Sequence, residues 1–391
     1  MSRAAARNSC SSSLAPRNRQ RKIFTEGILR PSADLCKCHG AGAVQTAGGP
    51  RPPPAPRRAP PSCKLQRMKT IAIEEHFITP MYRQKVAANE FRNFYLSSRS
   101  EQIGHDIVEQ NSDLGAKRLA HMDAAGIDVQ VLSFGSPGPQ GFAADVAIPM
   151  ARDANDLAHE AVKAHPDRFA AFAALATADP GAAADELGRC VTQLGFKGAM
   201  IHGHTRGSFL DEKKYWVIFE RAQALDVPLY LHPTLPHPDA VKAYFQGYED
   251  LARAGWGFAM DTSCHFLRIV FSGVFDAYPR LKIILGHLGE GLPFAMHRLN
   301  DHTWRAAARR GLAKTPLQYL KDNLLVTTSG NWYEPAFLCT LLALGADNIL
   351  FAVDWPYEPN TAGMEFLKKL SISDADREKI AHRNAERILR M

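Results

Sequence analysis

Nowhere do the 391 residues hold eighteen consecutive apolar positions, although 46% of them are hydrophobic. A helix needs about that length to cross a bilayer, so no membrane-spanning helix and no membrane partner are expected. Glycine-rich loops of the dinucleotide or phosphate-cradling kind follow none of the β-rich runs, which argues against any organic cofactor. Cysteine is scarce: seven residues, widely spaced, of which Cys10, Cys36, Cys38 and Cys63 fall within the first 67. This usage argues against a disulfide framework and for a reducing, cytoplasmic setting. Cys36-Lys37-Cys38-His39 lacks a partner pair at zinc-finger spacing. Cys190, Cys264 and Cys339 lie in apolar, helix-like stretches and are expected to be buried thiols.

Acids are nearly missing from the same N-terminal stretch. Residues 1–67 carry thirteen Lys/Arg against only Glu26 and Asp34, a net +11, so the chain's +7 leaves −4 for the remainder. The basicity belongs to the extension, and the folded part is not expected to bind nucleic acid. With no sustained period and a patch such as Arg51-Pro52-Pro53-Pro54-Ala55-Pro56, residues 1–67 read as a disordered extension. Its composition resembles a transit peptide; the simpler expectation is that Met68 is the true start.

What is present begins at Met68. Short β-rich runs recur at Thr70–Ile73, Val129–Ser133, Phe169–Ala176, Gly198–Ile201, Pro228–Leu231, Lys282–Leu285, Leu324–Thr328 and Ile349–Val353. Helical patterns lie between most of them, at Gly115–Ala125, Val146–Ala164, Ala182–Leu194, Tyr215–Leu225, Phe258–Ala277 and Glu334–Leu344. Near-continuous apolar strands are buried on both faces, hence parallel and covered by helices. Eight such units over residues 68–391 predict an α/β fold, a (β/α)8 TIM barrel forming one domain. An open doubly wound sheet is the alternative. The stretch from Phe77 to Asp113 reads as a lid inserted after strand 1, and Asp374-Ala375-Asp376 opens a last amphipathic helix to about Leu389.

The chemistry gathers where the strands end. In Ile71-Ala72-Ile73-Glu74-Glu75-His76, alternation puts Glu74 and His76 on one face and Glu75 on the other. A carboxylate and an imidazole so placed can be two ligands of a divalent cation; the other reading is a strand edge turning polar at solvent. Later strands end alike: His202-Gly203-His204, His232-Pro233, Gly286-His287-Leu288-Gly289-Glu290 and Asp354-Trp355-Pro356-Tyr357-Glu358. Barrel enzymes carry reactive groups on this face. Glu290, three residues after His287 at a helix start, can fix the imidazole tautomer or merely complement the helix dipole. His105, His121, His159, His165 and His265 are read as structural.

These endings, with Gly286 to Pro293, Asp354-Trp355-Pro356 and Lys197 to Gly207, resemble the amidohydrolase superfamily. Within it they are similar to the aminocarboxymuconate-semialdehyde decarboxylase branch, which includes hydroxybenzoate and 5-carboxyvanillate decarboxylases. The resemblance implies ligation of one divalent metal, zinc first and manganese second, by Glu74, His76, His232 and Asp354. It implies a catalytic His287 oriented by Glu290, with Asp354 as acid, and Arg298 on the substrate carboxylate, in some relatives across a subunit boundary of a homodimer or homotetramer; the other reading of Arg298 is a solvated helix-face arginine. His202 and His204 are the other substrate-binding candidates, though relatives often carry Asn at position 202. The reaction implied is nonoxidative decarboxylation of an ortho-hydroxylated aromatic acid, such as 2,3- or 2,6-dihydroxybenzoate or a 5-carboxyvanillate-like acid, in aromatic compound catabolism. A metal-dependent hydrolase or hydratase is the alternative. Against it, strand 1 carries Glu-x-His rather than His-x-His, and no lysine ends strand 4. A purely structural metal would favour cysteine ligands.

Overall fold

The computed structural model describes residues 68–87 and 90–391. The basic extension and its four cysteines lie outside them. Eight parallel strands run in chain order around a barrel: β1 (Ile71–Phe77), β2 (Val129–Phe134), β3 (Phe169–Ala171, continued at Ala173–Ala174), β4 (Ala199–His202), β5 (Leu229–His232), β6 (Ile283–Leu285), β7 (Leu324–Thr327) and β8 (Ile349–Leu350). The barrel closes between last and first: Ile73 N–H donates to Phe351 C=O at 3.2 Å and Asp354 N–H to Glu74 C=O at 3.0 Å.

Two apolar shells follow from strand alternation. Ile71, Ile73, Val131, Phe172, Met200, Tyr230, Ile284, Leu325 and Leu350 fill the barrel interior. Their sequence neighbours, such as Ala72, Leu132, Ile201, Leu231, Leu285 and Val326, pack outward under the helices. Near-continuous apolar strands are what such a two-sided environment requires.

The helices that periodicity predicts sit close to their expected places, with some differences. The Phe258–Ala277 pattern breaks at Gly273, whose φ of +87° ends Gly257–Ser272 before Val274–Ala277. The last helix is interrupted by a wide π turn at Lys379–Arg383. Between β6 and β7 stand Leu292–Arg309, the helix whose start the sequence places near Glu290, and Pro316–Asn323, opened by a Thr315/Gln318 capping box; the sequence pattern marks neither this second helix nor Asn360–Lys369 after β8. Of the three cysteines expected buried, Cys190 is buried, Cys339 is half-buried and Cys264 is exposed. Cys264 lies on the solvent side of a helix whose other face buries Asp261, His265, Phe266 and Ile269. No helix among the described residues is long and apolar enough to cross a membrane.

The insertion after β1 forms the helices Pro80–Val86, Glu90–Ile103 and Ile107–Asn111. It reaches the loop after β8. Arg99 bonds the Glu358 carboxylate and, at 3.2 Å, the Tyr357 carbonyl, while His105 Nε2 lies 2.7 Å from Pro356 O.

At the break in β3, the buried Asn155 amide takes the Ala174 N–H at 2.7 Å and donates to its C=O at 3.0 Å. Asn155→Leu would strand two buried backbone groups, each costing about 1–3 kcal/mol. Chemical denaturation should show a loss of roughly 2–6 kcal/mol; a variant as stable as the parent would contradict this account of the break.

Candidate metal centre

The site starts from an irregularity in β1. Ala72 pairs with Gln130 but Glu75 with Leu132, so one extra residue is accommodated between them. Such a bulge shifts the alternation by one. Ile71 and Ile73 point into the barrel; without the bulge Glu75 would follow them. With it, Glu74 and His76 turn inward. At the same level the inward residues are Ser133, His202, His232, Gly286, Thr327 and, past β8, Asp354, so a polar layer caps the apolar interior at the C-terminal mouth. Gly286 is constrained by closeness: a Cβ there would lie 3.0 Å from Glu74 Oε2.

Glu74, His76 and His232 each have one polar atom held by the protein and one left over. Glu74 Oε2 accepts from the Tyr230 hydroxyl and from Thr327 Oγ1 at 3.2 Å. His76 Nδ1 lies 3.2 Å from Ser133 Oγ, and His232 Nδ1 lies 2.7 Å from Pro233 O. Glu74 Oε1, His76 Nε2, His232 Nε2 and Asp354 Oδ1 are buried and have no hydrogen-bond partner among the described residues. These four residues present one ligand atom each, all within 4.8 Å of one another. Unpaired buried polar atoms cost free energy, and four converging lone pairs on two carboxylates and two imidazoles form the donor set of a divalent cation. A pairing of His76 Nε2 with Asp354 Oδ1 at 3.0 Å or of His232 Nε2 with Glu74 Oε1 at 3.2 Å is close without hydrogen-bond geometry.

The charges suit that role. Burial works to raise the Glu74 pKa, but His287, His232 and His76 outweigh it and hold the carboxyl well below its usual range. Asp354 is lowered likewise, burial being overcome by His287 and His76. Burial pushes the His76 imidazole down, so it stays neutral with a lone pair to offer. The Tyr230 phenol is driven well above its ordinary value by burial and Glu74, which keeps it a donor.

His287 stands beside this set. Its Nδ1 is 2.7 Å from Glu290 Oε1, and its Nε2 is 3.6 Å from Asp354 Oδ2 and 3.8 Å from Glu74 Oε1. Burial would lower its pKa, but Glu290, Glu74 and Asp354 together hold it well above the ordinary histidine value. His287, Leu288 and Glu290 all adopt positive φ, at 51°, 60° and 54°. Non-glycine residues there cost about 1–3 kcal/mol each unless over-determined. Here His287 N–H donates to Ser329 Oγ at 3.1 Å, Leu288 N–H to Thr327 C=O at 2.8 Å, and Ser263 Oγ to Glu290 C=O at 2.7 Å. Glu290 therefore precedes the helix, which begins at Leu292 behind the cap Gly291, and is not an acid in its first turn.

The remaining candidates are placed differently. His202 is 1% exposed, and its nitrogens face Phe134 O at 2.7 Å and His232 Nδ1 at 3.0 Å, which leaves none free for a substrate. Its neighbour in the sequence pattern, His204, accepts the Gly207 N–H at 3.0 Å through Nδ1, and its buried Nε2 has no hydrogen-bond partner among the described residues. Arg298 sits exposed on Leu292–Arg309. Of the histidines read as structural, His265 accepts the Leu210 N–H at 2.8 Å, and His105 and His121 pack against Trp355 with tilted rings. Sequence reasoning missed Tyr230, Thr327 and Ser329. Tyr230 was findable, since it lies two residues before His232 and so shares its strand face.

The chain as purified should carry about one divalent ion, and His232→Ala should lose most of it by elemental analysis. Full retention in both His76→Ala and His232→Ala would contradict the centre.

Residues 100–391 match the family model described as Amidohydrolase. The chain is 39% identical over 331 residues to a gamma-resorcylate decarboxylase of Polaromonas sp. strain JS666, covering 82% of this chain and 98% of that one. A solved dihydroxybenzoic acid decarboxylase from Polaromonas sp. JS666, with bound manganese and the inhibitor 2-nitroresorcinol, superposes with a TM-score of 0.75 at 37% identity, covering 83% and 97% of the two chains. The solved 5-carboxyvanillate decarboxylase of Sphingomonas paucimobilis gives 0.76 at 33% identity, covering 83% and 99%. With a matching family model over most of its length and its converging strand-end ligands, the chain belongs to the amidohydrolase family.

Proposed function

We propose that this protein is a metal-dependent carboxy-lyase that removes CO2 from an ortho-hydroxylated aromatic acid, 2,6-dihydroxybenzoate being the first candidate. The observation that carries the reading is the double placement of Asp354. Its Oδ1 belongs to the four converging lone pairs, and its Oδ2 lies 3.6 Å from His287 Nε2. Asp354 and His287 are also the most open groups of the set, at 15% and 23% side-chain exposure, against 0% for Glu74 and His76. The names of the relatives support the same chemistry.

Glu74, His76, His232 and Asp354 would hold the cation, with the Glu74 and Asp354 charges matching its own. When bound, it supplies Lewis-acid stabilisation for the substrate's carboxylate and adjacent phenolic oxygens. Asp354, ionised at rest, takes up a proton that comes ultimately from solvent and delivers it to the ring carbon that bears the carboxylate. The carbon–carbon bond then breaks, its electron pair returns to the ring, and CO2 leaves; one proton from solvent replaces one CO2. His287, protonated beside Glu290, faces the phenolic oxygen where negative charge develops. His204, whose buried Nε2 has no hydrogen-bond partner among the described residues, is the proposed contact at the substrate's rim, and His202 acts through His232. Arg298 would meet a substrate carboxylate only across a subunit boundary, which keeps a homodimer or homotetramer as our proposal. For the metal we favour manganese, the ion bound in a solved relative, over zinc. A cytoplasmic setting and a domain spanning residues 68–391 complete the reading.

Asp354→Asn keeps the size and one oxygen ligand but removes the acid. Metal should be partly retained while kcat falls by at least about 10² to 10⁴-fold, the usual worth of acid–base catalysis. His287→Asn should lose rate with less loss of metal. An Asp354→Asn protein that releases CO2 at the parent rate would sink the assignment. A chain beginning at Met68 should turn over like the full one and bind anionic columns less; inactivity would move the domain boundary.

A further inference from the structure

The bulge that turns Glu74 and His76 inward sends Glu75 the other way, into the layer between strands and helices, where it is fully buried. Nothing in the metal centre uses it. Its Oε1 accepts the Val353 N–H at 3.0 Å, and its Oε2 accepts the Trp355 N–H and Gln130 Nε2, each at 3.3 Å. Val353 and Trp355 are the residues on either side of Asp354, whose own N–H goes to the Glu74 carbonyl at 3.0 Å. Three successive N–H groups around one ligand are thus taken by the two acids of β1. Arg118, also fully buried, donates to the carbonyl of His76 and, at 3.4 Å, to Gln130 Oε1. Asn360 Oδ1 accepts from Gln130 Nε2 at 3.3 Å.

A buried acid and guanidinium are an inefficient way to bolt a barrel, because well-packed apolar residues of similar volume are usually as stabilising or better. A carboxylate does something that apolar groups cannot. It accepts from N–H groups on both sides of a residue, and Asp354 needs that: its φ of +78° is strained for a residue with a Cβ. Strain of this kind persists only where the surroundings over-determine it. The same network reaches the main chain of His76, whose Nε2 is the lone pair 3.0 Å from Asp354 Oδ1.

We propose that Glu75, backed by Arg118 and Gln130, is a positioning residue that fixes the main chain of His76 and Asp354 and so sets the spacing of two metal ligands. The proposal rests on the metal-centre reading above. Glu75→Gln is nearly isosteric but offers one oxygen and one NH2, so Val353 N–H or Trp355 N–H loses its acceptor. Groups that orient metal ligands from behind are typically worth about 10 to 100-fold in metal affinity. The metal-free full-length chain, titrated with Mn2+ by electron paramagnetic resonance, should show a loss of that order in Glu75→Gln, and the Co2+-loaded variant should have an altered visible spectrum. Gln130→Leu and Arg118→Lys, which leave the carboxylate in place, should move both readouts in the same direction by less, and they carry the test if Glu75→Gln does not fold. Folded variants with parental Mn2+ affinity and cobalt spectrum, and only a lower melting temperature, would overturn the proposal and leave Glu75 a barrel bolt. A parent chain that binds neither ion would overturn the metal centre and this role with it.

Discussion

One extra residue in β1 governs the rest of the site. Strict alternation from Ile71 and Ile73 would put Glu75 inside the barrel and both Glu74 and His76 under the helices. The bulge exchanges them. Two ligands then face the axis at the level where β4, β5 and the turn after β8 deliver His202, His232 and Asp354. Bulges disrupt pairing locally and persist beside functional sites because they re-aim side chains. The closure of the barrel depends on the same few residues, since Glu74 C=O and the Glu75 carboxylate together hold the N–H groups of Val353, Asp354 and Trp355.

Around that constraint the protein builds a charged site in a place where charge is expensive. Glu74 is completely buried, yet its carboxyl is held well below the usual range by the imidazoles around it. The outer partners divide the labour atom by atom. Tyr230 and Thr327 take Glu74 Oε2, Ser133 faces His76 Nδ1, and His202 faces His232 Nδ1. What remains is one unpaired atom per ligand, all directed to a common point. The turn from His287 to Glu290 adds a strained backbone, held by Ser329, Thr327 and Ser263, that places an imidazole at the open side.

The fold was legible because the signal is strong and local. Strands buried on both faces read as apolar runs, and the helix Glu334–Leu344 begins and ends where its pattern does. The ligand candidates were legible because they end those runs abruptly. Other features depend on three-dimensional neighbours. The bulge leaves no mark in Ile71-Ala72-Ile73-Glu74. His202 reads as a substrate group until Phe134 O and His232 are found to occupy both its nitrogens. The exposure of Cys264 follows from which face of its helix meets the barrel, and apolar composition alone does not report that. Tyr230 shares the strand face of His232, which the pattern shows, but that its hydroxyl donates to Glu74 Oε2 depends on three-dimensional neighbours. Arg298, which the pattern offers as a substrate group, stands exposed on its helix.

The central claim is that this site exchanges a ring carboxylate for a solvent proton. The direct test is turnover of 2,6-dihydroxybenzoate by the Mn2+-loaded chain in heavy water, with the product read by proton NMR and the headspace by CO2 analysis. The account predicts CO2 release together with one deuterium at the ring carbon that carried the carboxylate, and no turnover after chelation. A product that retains its carboxyl, or a ring-opened acid formed without CO2, would contradict it.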